Sequence, residues 1–118
     1  REFVFNNNTN NYKVDAELPE KVKAFKNLQN LCMNNNIQLV IIYSPNFKKH
    51  SVSFEKRIKE LSHPMVTSIA YDTTNQIYKN KDYYYDEGHL KTTGAVIFTN
   101  EIISQLKYKT RTHNILYK

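Results

Sequence analysis

The sequence predicts an α/β fold with a parallel-stranded, layered sheet of the flavodoxin-like type and flanking helices. Two observations carry this prediction. Segments with helical periodicity alternate with short apolar segments, and the run IQLVIIYS at 37–44 is continuously apolar, as in a strand buried on both faces. With 118 residues the chain is one domain at most. Two strands alone would leave both sheet edges unpaired, and we therefore expect an incomplete half of the fold.

The first helix is predicted at 19–34, after an irregular, Asn-rich lead-in at 1–18. Pro19 suits a first helical turn, and apolar residues recur at a spacing of three to four as far as Cys32. The asparagines at 34–36 are expected to end the helix, because asparagine tolerates the left-handed backbone that closes helices.

A second helix is predicted at 52–62 and a second strand at 65–71, with a His-Pro pair between them that stops the helix. A polar, tyrosine-rich connection follows the strand. The last helix begins at Thr92 or Thr93, either of which can cap it, and runs to about residue 107. The α/β domain is therefore assigned to 19–107.

The composition limits the kinds of partner and cofactor that the chain is expected to bind. The net charge is +6, but lysines are scattered along helix faces and loops and in a basic tail at 108–118, a pattern that does not favour nucleic-acid binding. Cys32 is the only cysteine, so no internal disulfide or cysteine-zinc cluster is possible. No apolar run approaches the roughly 20 residues of a membrane span. The spacings of Asp72, Asp86 and His89 match no metal signature, and neither a metal nor a cofactor is predicted.

The stretch KDYYYDEGHLKTTGAVIFTNEIISQL at 81–106 carries the most specific chemistry. Asp86 and His89 lie three apart on one short loop, with Gly88 between them to ease a tight bend. A carboxylate beside an imidazole fixes which ring nitrogen carries the proton and stabilises the imidazolium. We predict the supporting half of a serine-type triad at the carboxyl edge of the sheet. The alternative is a loop whose aspartate binds backbone N–H groups and whose histidine is solvated.

The block YYYDEGHLKTTGAVIFTNEI is similar to the last conserved block of the SGNH (GDSL-type) hydrolases, Asp-x-x-His-Leu followed by a helix carrying Gly-Ala. The preceding NLQNLCMNNNIQLVIIYSPNF resembles the penultimate helix and strand of that family. Over residues 19–107 the resemblance implies the carboxy-terminal portion of such a domain, with His89 as general base and Asp86 as its orienting carboxylate. It implies a serine esterase, acetylesterase or O-acyltransferase acting on an ester or an acetylated carbohydrate, and it favours an extracytoplasmic location. The family usually has Asn after His-Leu, where this chain has Lys91.

The nucleophile that the resemblance requires is absent from the sequence. No Gly-Asp-Ser block is present, and the blocks that supply the oxyanion hole are missing as well. Ser44 lies at a predicted strand end, but Pro45 follows it and has no N–H to give to an oxyanion hole. We therefore expect this chain alone to be inactive, with the nucleophile in an upstream half.

The remaining candidates concern binding. Of Tyr83, Tyr84 and Tyr85, at most one is expected to contact a ligand, and Tyr85 is the candidate substrate-binding residue. His50 and His63 are assigned to solvated loops. The alternative function is a non-catalytic α/β interaction module that binds carbohydrate or forms a homo-oligomer through exposed strand edges.

Overall fold

A computed structural model describes residues 11–47 and 50–117, with side chains as far as Lys109. Residues 1–10 of the predicted lead-in lie outside the described residues. The chain divides into two units. The helical unit comprises residues 11–41 and 51–68, and the ribbon unit comprises the described part of 42–50 together with 69–117.

Over the described residues the chain is mixed α/β, with three α-helices and a small two-stranded parallel sheet, and the predicted α/β class is confirmed. The elements in chain order are α1 (Pro19–Asn34), β1 (Val40–Tyr43), α2 (Val52–Leu61), β2 (Thr67–Ala70), β3 (Tyr84–Asp86), β4 (His89–Leu90) and α3 (Thr92–Tyr117). β1 and β2 pair in the parallel sheet, and β3 and β4 form a separate antiparallel ribbon.

Helix α1 has the bounds that the sequence predicts, and its end shows why. Asn36 has a φ of 55°, the left-handed conformation expected for a helix-closing asparagine. The N–H of Ile37 donates to the carbonyl of Cys32 (2.8 Å), and the N–H of Asn36 donates to the carbonyl of Met33 (3.2 Å). This pair of bonds is the Schellman motif, which satisfies carbonyls that the helix leaves unpaired.

Both parallel strands are shorter than predicted, because the residues before them are used in other hydrogen bonds. Ile37 belongs to the closure of α1, so β1 begins only at Val40. The N–H of Val66 donates to the carbonyl of His63 in a turn, and β2 begins at Thr67.

In the helical unit, polar contacts hold α1 beside the end of α2. The side chain of Gln29 is only 4% exposed. Its amide nitrogen donates to the carbonyl of Leu61 (3.0 Å), and its oxygen accepts the N–H of His63 (2.7 Å). Glu17 binds the Arg57 guanidinium through both carboxylate oxygens, and this hydrogen-bonded contact lowers the pKa of Glu17.

In the ribbon unit, the core is built from aromatic rings. Tyr71, Tyr78 and Phe98 are buried, with centroids 5.4 Å apart for the first pair and 6.3 Å for the second, in edge-to-face geometry. Burial raises the pKa of Tyr78, whose hydroxyl donates to Glu101 of α3. Ile69 of β2 is fully buried.

Helix α3 extends well past its predicted end at about residue 107 and continues to Tyr117. The predicted tail at 108–118 is therefore helical as far as it is described. After Gly94 the sequence has no proline or glycine, the residues that most often break a helix, and nothing in this segment signals an end at 107.

Candidate functional site

The Asp86 and His89 side chains lie on the β3–β4 ribbon, which contains an irregularity at Tyr85. Tyr84 pairs with Leu90, and Asp86 pairs with His89, so two steps on β3 correspond to one step on β4. Successive residues of a strand point to opposite faces, and paired residues share a face. The bulge therefore puts Tyr84 and Leu90 on one face of the ribbon and the Asp86–His89 pair on the other.

The two side chains are in hydrogen-bonding contact. Nδ1 of His89 lies 2.7 Å from Oδ1 of Asp86, and the same oxygen accepts the N–H of Gly88 at 2.9 Å. The Gly88 N–H and then the His89 ring lower the pKa of Asp86. The imidazole is 77% exposed and the carboxylate 29%, so Nε2, the nitrogen that Asp86 does not engage, is accessible from solvent.

The ribbon is attached to the loop that follows the carboxyl end of β1. The N–H of Phe47 donates to the carbonyl of Glu87, between the two members of the pair, at 2.8 Å. The Phe47 ring also packs edge-on against Tyr84 with centroids 6.0 Å apart. Ligands of parallel α/β sheets bind at the carboxyl ends of the strands, and this is the end to which the Asp86–His89 pair is joined.

The two glycines of this region have different roles. Gly88 does not have a positive φ, and a Cβ placed on it would meet only Asp86 Oδ1, at 3.9 Å. The bend between Asp86 and His89 therefore does not need glycine's conformational freedom. Gly94, in the first turns of α3, lies in close approach to its neighbours: a Cβ placed on it would be 3.0 Å from the carbonyl oxygen of Tyr83 and 2.9 Å from the Leu90 side chain, both of which would have to shift.

The tyrosine run separates into core and surface. Tyr84 is 2% exposed and donates its hydroxyl to the carbonyl of Tyr78 (2.7 Å), and burial raises its pKa to about 12. Tyr85, the bulged residue, is 64% exposed, and Nζ of Lys91 lies 6.0 Å from its ring centroid. Of the buried Tyr84 and the exposed Tyr85, only the latter presents its ring to a ligand.

The serines whose contacts are described have structural roles. Ser51 caps α2 by accepting the N–H of Phe54, Ser53 accepts the N–H of Tyr12, and Ser62 donates to the carbonyl of Ile58. Ser44 follows β1 directly and is exposed, next to the fully buried Pro45. The described residues thus provide no serine with an oxyanion-hole N–H after it at the strand end.

The other ionisable candidates are not gathered around the pair. Asp72 accepts the N–H and the hydroxyl of Thr74, which lowers its pKa. Among the described residues, no three of His, Cys, Asp and Glu lie together as a metal site would require. His50 is half-buried, with its ring edge-on to Tyr43 (6.1 Å) and Tyr71 (5.6 Å), so its assignment to a solvated loop is wrong. The contact with Tyr71 joins segments on either side of α2, which no local pattern reveals.

The chain matches no protein-family model, no curated protein and no solved structure in the comparisons made. Within the described part of the chain, no helix has the length and apolar character needed to cross a membrane.

The hydrogen bonds predict opposite tautomers for two histidines of the same chain. Nδ1 of His63 accepts the N–H of Met65 (3.0 Å), so the proton of its neutral ring lies on Nε2. In His89 the contact with the Asp86 carboxylate requires the proton on Nδ1. Long-range ¹H–¹⁵N correlation spectra, recorded where both rings are neutral, are expected to show these two forms side by side.

The Asp86→Ala variant tests whether the Asp86 carboxylate determines the tautomer of His89. It should shift His89 towards the Nε2–H form that an unconstrained imidazole prefers and leave His63 unchanged. An Nε2–H tautomer at His89 in the unmodified chain would contradict the orienting role of Asp86.

Proposed function

We propose that residues 19–107 are the carboxy-terminal portion of an SGNH-like serine esterase, acetylesterase or O-acyltransferase, and that they supply the Asp–His half of its catalytic triad. The single observation that supports this most is the 2.7 Å contact between Asp86 Oδ1 and His89 Nδ1 on an exposed ribbon. The attachment of this ribbon beside the carboxyl end of β1 adds to it.

In this proposal each residue has a defined task. Asp86 is held by the N–H of Gly88, and its carboxylate keeps the proton of His89 on Nδ1. Nε2 of His89 is then an unprotonated, accessible base. The low pKa of Asp86 keeps its charge available to stabilise the imidazolium that forms when Nε2 takes up a proton.

The reaction follows from this arrangement. A serine hydroxyl transfers its proton to Nε2 of His89 as its oxygen forms a bond to the ester carbonyl carbon. The tetrahedral species then collapses, the carbon–alkoxide bond breaks, and the imidazolium returns the proton to the leaving alcohol. Water releases the acyl group in a hydrolase, and an acceptor alcohol takes it in an O-acyltransferase.

The proposal extends to the fold and the substrate. The parallel pair β1–β2 would belong to a larger flavodoxin-like layered sheet, in which another strand end carries the serine and the oxyanion donors. The substrate is an ester, with acetylated carbohydrate as the leading class, and an extracytoplasmic location would suit such a substrate.

Covalent labelling tests the proposal through the nucleophile. A fluorophosphonate probe is expected to label the full-length protein at a serine outside residues 1–118, as located by peptide mass spectrometry, and to leave the 118-residue chain unlabelled. The His89→Ala variant should lose the labelling, because the hydroxyl then has no base. Labelling at Ser44, or none in the full-length protein, would overturn the proposal.

A second candidate is a non-catalytic interaction module that associates through apolar surface. Ile42 of β1 is 45% exposed although it belongs to a parallel strand, a type that is usually buried on both faces. In the helical unit, Leu28 and Leu31 of α1 are 47% and 60% exposed. Under this hypothesis light scattering would show a mass that rises with concentration, whereas a constant monomer mass would count against it.

A further inference from the structure

An open depression adjoins the ribbon on the first turns of α3. Its volume is about 350 Å³, within the range of small-ligand sites. The ribbon contributes Tyr85 and Leu90, and the helix contributes residues on one side of its first three turns, which include Ala95, Val96, Thr99 and Asn100. All of these residues belong to the ribbon unit.

Tyr85 is the aromatic residue that lines this depression. Tyr85 is the extra residue of the bulge, so the ladder between β3 and β4 does not need it for pairing, and it is 64% exposed. Bulges are frequent beside active sites, where they redirect a side chain. The ammonium of Lys91 lies over the same ring at 6.0 Å from the centroid.

The lining has the mixed polarity of a site for an amphipathic ring. Leu90, Ala95 and Val96 give apolar contact, and Asn100 provides an amide that both donates and accepts. The hydroxyl of Thr99 donates to the carbonyl of Ala95 (2.8 Å), so towards the depression it acts as an acceptor. An aromatic face beside hydroxyl and amide groups suits a sugar, whose C–H face stacks on the ring while its hydroxyls bind the polar side chains.

We infer that this depression is a subsite for one sugar ring, stacked on Tyr85, of a carbohydrate chain. The ribbon ties the subsite to the Asp86–His89 pair, because Tyr85 directly precedes Asp86 and Leu90 directly follows His89. The link to catalysis rests on the proposed function; the binding of sugar does not.

Titration of the ¹⁵N-labelled chain with oligosaccharides tests the inference without any turnover. The probes are tetramers of glucose, N-acetylglucosamine and galacturonic acid, at millimolar concentration. At least one is expected to shift the amide signals of Tyr85, Val96 and Asn100. Tyr85→Ala should weaken the binding of that oligosaccharide roughly tenfold, because the stacking contact is lost.

Two control variants distinguish stacking on Tyr85 from sugar binding elsewhere on the chain. Tyr108→Ala removes a tyrosine of α3 that is 71% exposed and outside the depression, and it should leave the affinity unchanged. His63→Ala, in the helical unit, should also bind as before, and because the titration measures no turnover the test is independent of the catalytic proposal. The inference is overturned if none of the three probes binds, or if Tyr85→Ala binds them as well as the unmodified chain does. It is also overturned if an oligothymidine, titrated in the same way, occupies the depression in preference to the sugars.

Discussion

Under the proposed esterase function, replacing His89 by alanine in the full-length protein is expected to lower kcat for an activated acetate ester by roughly 10⁴-fold or more, because no other group would take the proton of the attacking serine. The fold should be unaffected. The ring is 77% exposed, so its removal leaves no cavity, and the thermal unfolding midpoint is expected to stay where it is. Stopped assays of ester turnover and a calorimetric scan measure the two quantities.

Two further variants assign the effect to the pair. Asp86→Asn retains a side-chain oxygen that can accept the Gly88 N–H, but it removes the charge that stabilises the imidazolium. A loss of kcat of similar order, about 10⁴-fold, is therefore expected. His63→Ala removes another exposed histidine, from the helical unit, and should leave turnover unchanged. Ester turnover that survives His89→Ala would refute the assignment of His89 as the base.

Replacing Ile69 by alanine is expected to cost about 2–5 kcal/mol of the free energy of unfolding, because the side chain of this β2 residue is fully buried and its loss leaves a cavity. The matched control is Ile42→Ala in β1, within the same ribbon unit. Ile42 is 45% exposed, so its truncation should cost less than about 1 kcal/mol. Urea unfolding followed by far-ultraviolet circular dichroism gives both values.

The comparison of these two isoleucines also bears on the proposed larger sheet. In the full-length protein, a strand alongside β1 would cover Ile42, and Ile42→Ala should then become several-fold more costly than in the 118-residue chain. Equal costs in the two chains would argue that this face of β1 remains open. An Ile69→Ala variant as stable as the unmodified chain would contradict the burial of β2.

The parts of the fold that sequence predicts well are those with an explicit local signal. Pro19 and the asparagines that end at Asn36 mark both ends of α1, and the structure has the helix between them. The end of α3 had no such marker, and the helix accordingly ran past the predicted boundary. The apolar side chain of Ile37 predicts a strand residue, but its N–H donates to the carbonyl of Cys32 in the closure of α1.

The candidate site likewise has parts that the sequence predicts and parts that it does not. A spacing of three was enough to expect contact between Asp86 and His89, because both lie on one short connection. The ribbon that carries them was not predicted, since three residues pairing with two leave no periodic pattern. The exposure of Tyr85 and the burial of Tyr84 follow from the bulge, and the sequence YYY alone does not distinguish them.

The bond between the Phe47 N–H and the Glu87 carbonyl joins two stretches of main chain, so it would survive a change of side chain at position 87. Proline at position 47, which lacks the amide hydrogen, would abolish it. The position of His89 therefore does not depend on the charge of the side chain at position 87. A basic group could therefore replace the acidic one at position 87 without displacing the imidazole.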